Sequence, residues 1–156
     1  MSSRYIIKWS PNVTIYYKDF EATPNIDDGY NIHYYHGMYL KANDLQDAHV
    51  VAFFNKKESW IRDSIHANPD QKELQKIRFD LYEYYARRAN LKIDKTKNDN
   101  NKEFKDIQLI FNTEYDELLA VEKKMFNDDS KLKEEIKFWR PKVDSLLKTT
   151  ESIYHD

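Results

Sequence analysis

Apolar residues follow two different periods along the chain. Between Arg4 and Asn55 they fall in short runs rich in β-branched and aromatic residues, Tyr5 to Trp9, Val13 to Tyr17, Tyr30 to Tyr35 and Ala48 to Phe54, as strands do. Turn chemistry separates the runs: Ser10-Pro11-Asn12, then Asp28-Gly29 with a residue tolerant of positive φ, then Asn43-Asp44. In the last run Val50, Ala52 and Phe54 alternate with Val51 and Phe53, so both faces are apolar and an inner or doubly covered strand is expected. From Asn68 the period becomes helical. Asn68-Pro69-Asp70-Gln71 supplies an N-cap acceptor, a proline whose missing N–H costs nothing, an acid against the macrodipole and a residue able to close a capping box. A helix is predicted from there to about Ile93, followed by a polar connection over 94–101. Asn100 and Glu103 predict a second capping box, and Phe104, Ile107, Phe111, Tyr115, Leu118 and Met125 form the next apolar stripe, which Asp128-Asp129-Ser130 interrupts. Leu132, Ile136, Trp139, Val143, Leu146 and Ile153 then make a third stripe. Pro141 inside it predicts a kink or a fresh helix start. A seam this short fits packing within the protein better than a coiled-coil partner.

These patterns predict one α+β domain over 1–156, strand-rich over 4–55 and helical over 68–154, with an N-terminal antiparallel sheet packed against three C-terminal helices. A chain of 156 residues can bury about 70% of its unfolded surface, enough for one core. Lys plus Arg number 25 against 27 Asp plus Glu, a net charge of -2, which gives no general attraction to nucleic acid or anionic lipid. No run approaches the length of a membrane span or a signal peptide. As written the sequence reads as cytoplasmic, or as periplasmic or secreted if a leader has been removed. Two glycines are too few for a phosphate loop or dinucleotide fingerprint, and the absence of cysteine excludes disulfides and thiolate metal sites.

Catalytic constellations are sparse. His33 and His36 frame Tyr34-Tyr35, but residues three apart on a strand point to opposite faces, so structural or surface roles are favoured over a shared metal. His49 falls on the strand face of Val51 and Phe53, where a satisfied buried imidazole is expected; His66 and His155 complete the set. No Gly-x-Ser-x-Gly elbow is present. Arg87, Arg88, Lys92, Lys95 and Lys97 form a basic run, but Asp80, Glu83 and Asp94 interleave it, so a solvated helix face is favoured over nucleic-acid contact. Twelve tyrosines offer contact area with a polar handle, suited to padding a sheet-helix interface or lining a binding cleft.

The stretch Leu74-Gln75-Lys76-Ile77-Arg78-Phe79-Asp80-Leu81-Tyr82-Glu83, then Ala86-Arg87, together with Trp9-Ser10-Pro11, Tyr16-Tyr17-Lys18-Asp19-Phe20, Val50-x-Ala52-x-Phe54, Ser59-Trp60, Tyr115-Asp116 and Trp139, resembles in order a bacterial family of secreted zinc-dependent proteases, zincin-like peptidases with an HExxH helix. In that family the helix reads His-Glu-x-x-His-Phe-Asp-Ile-x-Glu, with two histidines on one face to hold Zn²⁺ and a glutamate to activate water. This protein departs from the pattern where the chemistry lies. Leu74 has no donor atom, Gln75 is no general base, and Arg78 has no lone pair for a metal. Downstream, Leu118 and Val121 stand where the family has an acid and a histidine.

The resemblance therefore implies a degenerate member without metal, cofactor or catalysis, acting as a binding or structural module. Leu74, Gln75, Arg78, Leu118 and Val121 mark the lost site. Arg78, Tyr82, Glu83 and Tyr115 are candidate binding residues for a peptide, glycan or protein ligand, with Arg78 supplying a fixed cation to neighbouring carboxylates. Read without the family, Leu74, Ile77, Leu81 and Tyr84 or Tyr85 make an ordinary core helix on which Arg78 snorkels or pairs with Glu83 or Glu114. A metal-independent enzyme with an unrecognised site and a helical interaction module remain the alternatives.

Overall fold

A computed structural model describes residues 3–25, 27, 29, 31–62, 68–125 and 129–150. The sequence features expected at Asp28, Tyr30, His66, Asp128, Ile153 and His155 lie outside the described residues. Strands β1 (Ile6–Lys8), β2 (Ile32–His33), β3 (His36–Lys41), β4 (His49–Asn55) and β5 (Trp60–Ile61) precede helices α1 (Pro69–Lys97), α2 (Phe104–Met125) and α3 (Leu132–Lys148). The fold is thus α+β, an antiparallel sheet followed by three helices. Among the described residues no helix is long and apolar enough to cross a membrane.

β4 is the middle strand of an antiparallel sheet ordered β1-β4-β3, as its two apolar faces require. Val50, Ala52 and Phe54 face a core shared with Leu74, Ile77, Leu81 and Ala89 of α1, Leu118 of α2 and Trp139 and Val143 of α3. Helix α1 lies across β4 and packs against both other helices. On the opposite face Phe53 pairs with Gly37. A Cβ added at Gly37 would stand 2.6 Å from the Phe53 ring, so the ring occupies the space that any larger residue would need.

Among the described residues of the run predicted over Tyr30 to Tyr35 only β2 forms, and β3 begins after it at His36, because Tyr35 is held at the corner between the β1-β4-β3 sheet and the two-stranded β2-β5 sheet. Its N–H donates to Ser59 Oγ at 2.9 Å, Ser59 Oγ donates to the Asn55 carbonyl at 2.6 Å, and the Tyr35 carbonyl accepts from Asn55 N at 2.9 Å. The strand then continues past Gly37 to Lys41, further than turn-like composition suggests. No strand forms over Val13 to Tyr17. That segment leaves the Ser10 turn and ends in a 3₁₀ turn at Tyr17–Asp19, where the Asp19 carboxylate takes the Tyr16 N–H at 2.8 Å and the ladder loses a donor. Gly29 uses no positive φ.

Helix starts and stops also differ from the pattern. Asn68 caps α1 through the Asp70 N–H at 2.9 Å, without the box expected from Gln71. With neither Gly nor Pro to end it, α1 runs on to Lys97, where lysines favour the C-terminal dipole. Helix α2 begins at Phe104, and Asp106 rather than an Asn100–Glu103 box takes the Glu103 N–H, at 2.8 Å. Pro141 lies inside an uninterrupted α3. Both Pro141 and Lys137, whose carbonyl loses its donor, are exposed, so water can serve that carbonyl. The α3 stripe is spent within the protein, with Trp139 and Val143 buried and Leu132 and Ile136 packed on the same core.

One polar side chain of α1 completes the hydrogen bonding of β4. β1 ends before it can pair with Val50, which sends its peptide groups to the same side as Ala52, whose carbonyl accepts from Trp9 N at 3.1 Å. Asn90 of α1 takes the place of a strand there. Its Oδ1 accepts from Val50 N at 2.7 Å and its Nδ2 donates to Val50 O at 3.0 Å.

Candidate functional site

Helical spacing puts residues 74 and 78 one turn apart on α1, and the tertiary structure sends them to different surroundings. Leu74 is buried in the core. Arg78 reaches across to α2, where Nη2 meets Glu122 Oε1 at 2.7 Å, while Nη1 donates to the Tyr34 carbonyl at 3.0 Å and to Gln75 Oε1 at 3.3 Å. The Tyr82 hydroxyl donates to the second oxygen of Glu122. Burial and then the Glu122 carboxylate push the Tyr82 phenol well above its usual range, against the opposing pull of Arg78. The Tyr115 ring meets Tyr82 edge-on, with centroids 6.5 Å apart.

Arg78, Gln75, Tyr82 and Tyr115 therefore come together. Glu83 does not join them, pairing instead with Arg87 at 3.7 Å. Leu118 is fully buried and Val121 half-buried on α2. The acid that serves Arg78 is Glu122 rather than Glu83 or Glu114, for Glu114 is held by Arg88 at 3.1 Å and by Lys92. The basic run is likewise less solvated than its composition suggests. Arg87 donates to the carbonyls of Leu147, in the last turn of α3, and Thr150, just past its end, at 3.1 and 3.0 Å. At the other side of α1, Asp80 accepts from Trp9 Nε1 at 2.8 Å and from Arg140 at 2.6 Å.

A cleft of about 250 Å³ opens beside this cluster, between the Val13–Ile15 segment, Tyr34 after β2, His36 at the start of β3, and Pro69, Lys72, Glu73, Gln75, Lys76 and Phe79 of α1. Pairing of His36 with Phe54 turns His36 to the core face. There it is only 4% exposed, stacked on Tyr34 at 5.9 Å and tilted against Phe79 at 4.8 Å. Its Nδ1 is buried and has no hydrogen-bond partner among the described residues. His33 is exposed and stacks on Trp60, so the two histidines part because they stand on strands of different sheets rather than on opposite faces of one strand. His49 is half-exposed at the start of β4, its Nδ1 2.9 Å from the Asp47 carbonyl, because it stands at a strand end rather than under a covering layer.

Burial, and after it the Arg78 charge and His33, hold the His36 imidazole well below its ordinary pKa. The unfolded protein then takes up this proton more readily than the folded one. The stability held by neutral His36 is fully present above the unfolded pKa of about 6.5 and is lost as pH falls below it, by up to about 1.4 kcal/mol per pH unit. Denaturant titrations at pH 7 and pH 5 should show this loss, and His36→Phe should flatten it. An unchanged pH dependence in that variant would reject the assignment.

Comparison of the sequence and fold with protein-family models, with curated proteins and with solved structures finds no match. The zinc that the resembling family holds does not fit the residues present. Leu74 offers no ligand atom, and the guanidinium of Arg78 stands against the carboxylate of Glu122. Among the described residues no three His, Asp or Glu side chains converge as a metal would require.

His36 and Glu122 are the site residues that sequence reasoning missed. For Glu122 a signal exists: Glu114 and Glu122 interrupt the apolar stripe of α2 on its buried side, and an acid in such a stripe needs a cation from a neighbouring helix. For His36 the signal was weak, because its strand is not evident from the local pattern.

Proposed function

We propose that this protein is a non-catalytic relative of the zinc-dependent peptidases that binds a ligand beside its former metal site. The observation that carries this reading is Arg78. A permanently charged guanidinium, bonded to the Tyr34 carbonyl, Gln75 and Glu122, fills with fixed protein charge the place where the family's second histidine holds its ion. Gln75 stands at the family's catalytic base and lines the adjoining cleft, yet it cannot take a proton at neutral pH. The α3 seam packs on the protein's own core and so adds no support to the helical-interaction reading.

The test is metal stoichiometry. The wild-type protein, dialysed against zinc, is expected to retain none at stoichiometric level, and stoichiometric zinc would overturn the non-catalytic reading. The variant Leu74→His/Gln75→Glu/Arg78→His is expected to gain one bound zinc and a zinc-dependent rise in melting temperature. Glu122 already reaches the side chain at position 78 and offers a carboxylate as a third ligand. A folded triple variant without metal would remove the peptidase relationship.

A further inference from the structure

We propose that the cleft between the Val13–Ile15 segment and the first turns of α1 binds a small organic carboxylate with one apolar ring or branched chain and a hydrogen-bonding group at its far end. This rests on reading the protein as a binding module and names the ligand chemistry. Size sets the body: about 250 Å³ lies below the roughly 300–1,000 Å³ of pockets for drug-sized molecules and suits a single ring. Val13, Ile15, Tyr34 and Phe79 supply its apolar walls.

Charge sets the head group. Lys72 and Lys76 stand one turn apart on the same face of α1, both exposed and both lining the cleft, and neither makes an ion pair among the described residues. Glu73, the acid between them, is drawn toward Arg140 at 3.7 Å. Two ammonium groups therefore outnumber the single carboxylate of Glu73 at the rim, beside the N-terminus of a long helix. The buried end is set by His36, whose ring lines the cleft and makes no hydrogen bond among the described residues. A ligand hydroxyl that reaches a ring nitrogen can bond it in either tautomer.

The probes are 3-(4-hydroxyphenyl)propionate, its primary amide, 3-phenylpropionate, and N-acetyl-Gly-Tyr with a free carboxyl group, each titrated into the full-length protein by heteronuclear NMR. The hydroxylated acid is expected to shift the Gln75 and Lys76 amides and the His36 ring resonances. It should bind about tenfold more tightly than the amide, the scale that two solvent-exposed ion pairs support, and more tightly than 3-phenylpropionate. Lys72→Gln/Lys76→Gln should abolish the preference over the amide, and His36→Phe the preference over the unhydroxylated acid. Tighter binding of the peptide than of the free acid would assign the carboxyl terminus of a polypeptide as the natural source; the reverse would assign a free acid. Equal binding of acid and amide within the cleft overturns the carboxylate inference while leaving the binding module intact. Absence of any shift with all four probes overturns the inference and removes the cleft as support for the module.

Discussion

Arg78→Ala is expected to destabilise the protein by about 3–5 kcal/mol, the scale for breaking a buried ion pair by removing one partner. The guanidinium satisfies three acceptors on three parts of the fold: the Tyr34 carbonyl, Gln75 Oε1 and Glu122. With it gone, Glu122 keeps among the described residues only Tyr82 as a donor, while its side chain is 16% exposed. That residual exposure lets water reach the carboxylate and places the loss toward the lower end of the range. Most of the cost is the charge left behind, so the double variant Arg78→Ala/Glu122→Leu should recover a large part of it. Arg78→Lys should fall between, since an ammonium keeps the charge but lacks the planar fork that spans the three acceptors. Urea titrations measure all three variants. A loss below about 0.5 kcal/mol for Arg78→Ala, the range of ordinary surface changes, would remove Arg78 as the organising charge of the site.

Asn90→Leu is expected to cost about 2–4 kcal/mol, although it exchanges a polar side chain for an apolar one of similar size in a buried position. Val50 would lose both the acceptor for its N–H and the donor to its carbonyl, and each buried unsatisfied group costs about 1–3 kcal/mol. Asn90→Asp gives a sharper check. The carboxylate still accepts from Val50 N but faces the Val50 carbonyl with a second acceptor, whereas the protonated acid can serve both groups. A proton held more tightly in the folded state adds stability that is lost as pH rises, so this variant should gain on the wild type as pH falls. If Asn90→Leu melts like the wild type, another group must serve Val50, and the strand-substituting role of Asn90 is rejected.

Local chemistry made much of the fold legible. The double-faced apolar run of β4 required a central strand, Asn68-Pro69 marked the start of α1, and the 3.6-residue stripes of α2 and α3 gave their buried faces. Val13 to Tyr17 was misleading because its residues suit a strand while the turn back through Asp19 prevents pairing. β3 was obscured because Gly37 reads as a turn residue until the Phe53 ring above it is known. Pro141 was tolerated because the carbonyl it deprives lies in solvent, which periodicity does not reveal. At the site, the charge of Arg78 and the absence of metal-ligand chemistry at residues 74, 75 and 78 could be read directly. Its partner could not, since Glu83, Glu114 and Glu122 are equivalent acids until helix packing selects among them.

By itself the sequence determined which elements could form, which faces they would bury and which functional groups residues 74, 75 and 78 of α1 do not provide. These depend on backbone propensity, on the spacing of neighbours along one element and on the identity of each side group. Only the tertiary structure decided that Arg78 meets Glu122 and the Tyr34 carbonyl, that Asn90 completes β4, and that His36 enters the wall of a cleft with an unpaired nitrogen. The pairings of Arg78 and Asn90 join residues 40 to 44 positions apart in the sequence. They form because burying several faces in one core fixes register and helix orientation together, and no local pattern carries that information.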